Sequence, residues 1–179
     1  MGKPMTGIFQ ICGYQNSGKT TLLSSIITAL KERNVKAAVL KHHGHGGSLT
    51  VRENQKDSEQ YIQAGAVASL AEGQGHIQLL ANIAEFDLDQ QIRFISFFKP
   101  DIILIEGYKY ENFPKIVLLK NREDLTLLND LTNIKAAVYW EEAEGEEKSE
   151  KNNIKHLSLF DPSLPIQLCE MIMKENLDL

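Results

Sequence analysis

Gly13-Tyr14-Gln15-Asn16-Ser17-Gly18-Lys19-Thr20 fits the pattern G-x-x-x-x-G-K-[ST] at every fixed position. Each fixed residue answers a demand of phosphate chemistry. Gly13 and Gly18 let the main chain turn tightly and approach an anion with no Cβ in the way. The amides from about Asn16 through Ser17 and Gly18 to Thr20 then converge on phosphate oxygens, helped by the positive end of the helix that Lys19 begins. Lys19 supplies a mobile cation for the β- and γ-phosphates, and Thr20 offers a hydroxyl to Mg²⁺. Thr21 is expected to add an amide or hydroxyl near the α-phosphate. The motif is meaningful only between a strand and a helix.

The flanking residues supply that setting. Gly7-Ile-Phe-Gln-Ile-Cys12 reads as a buried strand. Over Lys19–Arg33, Leu22, Leu23, Ile26, Ile27 and Leu30 recur at three- and four-residue steps, which places them on one helix face. Ala37-Ala-Val-Leu-Lys41 is a second strand, so the unit is βαβ with parallel strands. Further along, a short helix is expected from Asp57 or Ser58 to Gln63, ended by Gly65. Val67–Ala71 and His76–Leu80 flank Glu72-Gly-Gln-Gly75 and read as an antiparallel hairpin. A helix over Leu88–Phe98 stops before Pro100. Asp101-Ile-Ile-Leu-Ile-Glu106 has the apolar centre of a strand buried on both faces. Strands at Lys115–Leu119 and Ala136–Trp140 follow, and a closing helix spans Ser163–Glu175, with Met171 and Met173 on its core face. The expected architecture is a three-layer α/β/α, P-loop NTPase-like fold with a mainly parallel sheet and one antiparallel hairpin.

A length of 179 residues suits one nucleotide-binding domain over 1–179. Apolar residues make up 42% and charged residues 24%, which excludes a disordered chain. The longest apolar runs fall far short of the roughly 20 residues that cross a bilayer, so no membrane span is expected. Two cysteines, Cys12 and Cys169, cannot scaffold such a chain and suit a reducing cytoplasm. Residues 1–60 hold 8 Lys/Arg against 4 Asp/Glu, and the remaining 119 hold 11 against 20. The acidic total of −5 argues against a general nucleic-acid binder, whereas a positive N-terminal third suits a small anion. Glu141–Lys151, with six Glu and two Lys, reads as a solvated loop.

A nucleoside triphosphate with Mg²⁺ calls for an acid at the end of a neighbouring buried strand. Asp101 and Glu106 bracket one such strand. Ligands gather at the carboxyl ends of parallel strands, so Glu106 is the expected metal acid, with Gly107 allowing a sharp exit. The competing reading makes Glu106 a strand-end acid bonded to loop amides.

Taken in order, GYQNSGKTTLL, VLKHHGH, KDSEQYIQAGA and DIILIEGYKYENFPKI resemble the MobB family of molybdopterin-guanine dinucleotide biosynthesis. The resemblance covers roughly residues 7 to 120. Beyond the phosphate loop it is carried by Lys41-His42, by Lys56-Asp57-Ser58 with Ala64-Gly65-Ala66, and by Glu106-Gly107-Tyr108-Lys109 with Pro114-Lys115. It implies a cytoplasmic GTP-binding protein with weak GTPase activity, a homodimer that assists the nucleotidyltransferase attaching GMP to molybdopterin. It also implies kinship with dimeric metallochaperone P-loop proteins. The chain departs from the family between the His pair and Lys56-Asp57-Ser58, where it lacks a Pro-Gly and keeps only Glu53 as an acid. Asp57 remains and is expected at Mg²⁺, directly or through water, so Lys19, Asp57 and Glu106 form the expected catalytic set.

Other constellations leave alternatives open. Asn121-Arg-Glu-Asp124 mimics the guanine motif N-K-x-D, in which Asp124 would accept from guanine, or is a polar turn. His42, His43 and His45 fit a transition-metal site, an anion contact or a solvated loop. In the metal reading the protein is a metallochaperone-type GTPase that delivers its ion through this loop. Lys41, beside the His pair, reads as a phosphate or pterin contact. Tyr108, Tyr110 and Phe113, interleaved with Lys109 and Lys115, suit stacking on a pterin or base, a dimer interface or loop packing. Arg52 is the one Arg of the candidate switch segment. Without an evident arginine finger, slow turnover is the physical expectation.

Overall fold

The computed structural model of the chain describes residues 6–42, 56–140 and 153–176. His43, His45, Arg52 and the Glu141–Lys151 segment lie outside the described residues. The chain divides into two compact units, Met1–Gly44 with Ile92–Leu179, and His45–Gln91.

The larger unit is built on a six-stranded sheet. Its strands are β1 (Gly7–Cys12), β2 (Ala37–Lys41), β5 (Ile102–Glu106), β6 (Lys115–Leu119), β7 (Ile134–Tyr139) and β8 (Lys155–Ser158), in the spatial order β2-β5-β1-β6-β7-β8. Every pairing within it is parallel. Successive side chains point to opposite faces, so β5 and β6 are apolar along their length except at Glu106 and Lys115, and all five residues of each are buried. Leu104 and Leu118 pack on one face with Phe9, Leu30, Leu168 and Ile172. That face is covered by α1 (Lys19–Glu32) and α5 (Leu164–Asn176), whose apolar stripes also meet each other. Val117 and Leu119 pack on the other face with Leu127, Leu128 and Leu131. These last residues belong to a 3-10 turn over Arg122–Thr126 and the short α4 (Leu127–Asp130), together with the residue that follows it.

β8 and the Arg122–Asp130 helical segment were not expected from the sequence. β8 is an edge strand of four residues, Lys-His-Leu-Ser, none of them fully buried, so it carries no apolar run to signal it. Met171 and Met173 pack against the core at partial burial, as their spacing suggests.

The smaller unit holds α2 (Lys56–Gln63) and the antiparallel pair β3 (Ala68–Gly73) and β4 (His76–Ala81). Gln74 and Gly75, both at positive φ, make the two-residue turn that matches strand twist. Ser69 on β3 donates its hydroxyl to Ser58 Oγ on α2 at 3.1 Å. Gly65, at φ 106, follows the helix as its stop. α3 (Leu88–Ser96) spans the boundary between the units.

Candidate functional site

β1 ends at Cys12, and the next six residues form the loop that opens α1. Gly13 has φ 149, and a Cβ there would lie 2.8 Å from the Leu118 carbonyl oxygen and 2.8 Å from Ser17 Oγ. No side chain fits, so the glycine lets the loop lie against β6. Asn16 adopts the left-handed region at φ 60, and Gly18 precedes α1 at φ 92. Ser17 is buried.

In this loop the Lys19 ammonium donates to the Tyr14 carbonyl at 2.6 Å and lies 3.5 Å from Ser17 Oγ. The cation therefore folds back over its own loop. Burial pushes its pKa below the usual lysine value, while Glu106 pulls the other way. Both interactions holding it are with groups that a phosphate oxygen can replace.

Glu106 ends β5, and the sheet register sets Lys41 of β2 directly beside it. Thr20 Oγ1 is 3.2 Å from each Glu106 carboxylate oxygen. Lys41 Nζ is 3.3 Å from Glu106 Oε1 and 3.4 Å from Thr20 Oγ1. The Glu106 side chain is 9% exposed against 55% for Lys41, so a nearly buried carboxylate faces the loop while its counter-ion reaches in from solvent. A carboxylate and a hydroxyl at this separation, with an ammonium held against them, suit a hard cation with oxygen ligands.

Behind the site, the loop after β5 is fixed from below. Gly107 and Tyr108 both have positive φ, at 107° and 49°. Gln10, fully buried on β1, donates to the Gly107 and Tyr108 carbonyls at 3.3 and 2.8 Å. Lys115, also fully buried, donates to the Lys109 carbonyl at 3.2 Å and to that of Glu111. Burial lowers the Lys115 pKa, and burial pushes the Cys12 thiol up to about 11. On the upper side, Tyr108 lies against the His42 ring at 4.3 Å between centroids. Lys109 Nζ lies 4.7 Å from the Tyr14 ring centroid and 5.1 Å from that of Tyr110.

Thus Gly13, Asn16, Ser17, Gly18, Lys19, Thr20, Lys41 and Glu106 come together in one place, with Thr21 exposed in the first turn of α1. His42 is exposed beside Gly107 and Tyr108. Asp57 is exposed in the first turn of α2, in the smaller unit. Asp124 is buried, and its Oδ2 accepts from the Lys120 and Asn121 amides at 2.7 and 3.3 Å, which is the work of a turn-stabilising acid. Asn121 itself is exposed. Sequence reasoning missed Gln10, because a polar residue inside a strand declares no partner 97 positions away. It also missed Trp140 as a site residue, whose indole N–H donates to the Ser17 carbonyl at 2.9 Å.

Comparison with known proteins agrees with the motif order. Residues 8–140 match the family described as MobB, molybdopterin guanine dinucleotide synthesis protein B. A probable molybdopterin-guanine dinucleotide biosynthesis adapter protein of Bacillus subtilis (strain 168) is 42% identical over 132 residues, 74% of this chain and 75% of that protein. The adapter protein of the same biosynthesis in Escherichia coli (strain K12) is 32% identical over 67% of this chain and 69% of its own. Among solved structures, Bacillus subtilis MobB superposes with a TM-score of 0.76 at 34% identity, covering 92% of this chain and 96% of that one. A MobB homologue from Bacillus stearothermophilus gives 0.72 at 30% identity, covering 93% and 98%. On sequence and fold together, this chain belongs to the MobB family.

Proposed function

We propose that the protein binds Mg²⁺ and GTP at the Gly13–Thr20 loop, hydrolyses the nucleotide slowly, and serves as an adapter in molybdopterin-guanine dinucleotide biosynthesis. The partner in this reading is the nucleotidyltransferase that attaches GMP to molybdopterin. The observation that carries it is the triad at the mouth of the loop, where Thr20 and Lys41 both engage the nearly buried Glu106 carboxylate. A carboxylate so placed is poor at packing and good at holding a cation over a polyphosphate.

Thr20 and Glu106 would hold Mg²⁺. When bound, the ion neutralises charge on the β- and γ-phosphates. The chain's own groups do the rest. Main-chain amides of the loop bind phosphate oxygens, and Lys19 exchanges the Tyr14 carbonyl for the phosphates. Lys41, released from Glu106, gives a second cation at the same end of the sheet. His42 lies exposed next to this group and is available to an anionic substrate.

A homodimer in the cytoplasm completes the reading. The exposed Leu70, Ile77 and Leu79 of the β3–β4 hairpin are the kind of apolar surface that self-association covers. The alternative is metal delivery through His42, His43 and His45, of which His43 and His45 lie outside the described residues.

Reconstitution tests the adapter role. Added to the purified nucleotidyltransferase with molybdopterin and Mg·GTP, the protein should raise the yield of dinucleotide, and the Glu106→Gln variant should raise it less. A yield indifferent to the protein would contradict the reading.

A further inference from the structure

Trp140 is the one tryptophan of the chain, and it follows β7 just as Lys120 follows β6. The two strands are parallel neighbours, with Leu119 opposite Tyr139, and the Trp140 amide donates to the Leu119 carbonyl at 3.0 Å. Both residues therefore emerge at the same end of the sheet as the phosphate loop, where ligands of parallel sheets gather.

Three contacts fix the indole. Its N–H donates to the Ser17 carbonyl, inside the phosphate loop, at 2.9 Å. Its ring lies against Gly18, where the nearest atom to an added Cβ would be Trp140 Cζ2 at 3.5 Å. Phe160 meets it edge-on, with centroids 5.8 Å apart and planes at 90°. The ring is only partly covered even so, and Phe160 is 54% exposed. Lys120 Nζ lies 5.3 Å from the indole centroid, and its main chain is held by the Asp124 carboxylate. Among the described residues no carboxylate pairs with Lys120.

The indole is partly open, is bonded to the phosphate loop, and has beside it an ammonium that pairs with no carboxylate among the described residues. It is suited to a planar heterocycle tethered to the phosphates, because every base offers a π-face to stack and the tether makes the contact intramolecular. We propose that Trp140 and Lys120 form the nucleobase subsite, with the base stacked at the indole and the Lys120 ammonium beside it. The inference rests on the reading of the Gly13–Thr20 loop as a nucleotide site and extends it to residues outside the motif. Stacking of this kind recognises a purine ring as such and does not choose between guanine and adenine.

The single tryptophan makes the test direct. The full-length protein is titrated in Mg²⁺ with GTP and, separately, with inorganic tripolyphosphate, which has the charges and no base. Tryptophan emission and calorimetric affinity are both read. The expected result is that both ligands bind, that GTP quenches Trp140 well beyond any change with tripolyphosphate, and that Lys120→Ala weakens GTP by on the order of fivefold while leaving tripolyphosphate unchanged. Trp140→Phe, which keeps an aromatic face, should preserve the ratio of the two affinities. Equal emission changes with the two ligands, or an equal loss of both affinities in Lys120→Ala, would overturn the subsite. If neither ligand bound the wild-type protein, the nucleotide reading would fall and take the subsite with it.

Discussion

Cys12 is the last residue of β1, buried under the loop that it leads into. Burial favours its neutral thiol, and nearby Lys115, Lys19 and Lys109 only partly offset that, leaving a pKa of about 11 against an ordinary 9.0. A raised acid binds its proton more tightly in the folded chain than in the unfolded one. Its contribution is fully present below pH 9 and is lost as pH rises through about 11. The amount at stake is about 2–3 kcal/mol. Chemical denaturation across this range should show a fall in stability that is smaller in Cys12→Ala, where Cys169 and Tyr139, also raised by burial, still contribute, and parallel curves for the two proteins would contradict the assignment. Lys115 works in the opposite direction, since its lowered pKa lets stability rise with pH below its ordinary value, so the comparison with Cys12→Ala isolates the thiol. Individual residues at the site were legible from sequence where chemistry fixes their spacing, as in Gly13–Thr20, or where a strand end does, as with Glu106. Gln10 and Lys115 were not, because their partners are main-chain carbonyls of a loop that only the folded sheet brings over them.

The elements divide along the same line. β1, α1, β2, β5 and β6 announce themselves through apolar runs or helical spacing, and these are the elements that build the phosphate loop and hold Glu106 beside Thr20. β8 and the turn into α4 are marked by neither, since one is a polar edge and the other is a short segment stabilised by Asp124. The loop between β5 and β6 depends on an internal cation, and this gives a test at its own scale. Lys115→Met keeps the volume while removing the donors to the Lys109 and Glu111 carbonyls. Amide exchange over Gly107–Phe113 should accelerate by on the order of tenfold, while the β1 and β5 amides stay protected. Unchanged protection of the loop would mean that the buried ammonium does not hold it.

Across the whole molecule, the sheet order places β1 between β5 and β6, so the loop after β1 opens where neighbouring connections leave in different directions. The single-sequence reading reached this architecture through the βαβ unit, and the family through the order of four short motifs. What it could not supply was the far side of the site, where β6 and β7 bring Lys120 and Trp140 against the loop, because that adjacency is a property of the sheet and not of any segment. The central claim is that the chain between β1 and α1 holds a nucleoside triphosphate through main-chain amides and the Lys19 ammonium. Isothermal titration of the wild-type protein and of Lys19→Ala with Mg·GTP tests it most directly, with circular dichroism establishing that the variant is folded. The account predicts saturable binding by the wild type and a loss of about a hundredfold or more in the variant, equivalent to about 2.7 kcal/mol. A folded Lys19→Ala protein that binds Mg·GTP as tightly as the wild type would contradict it.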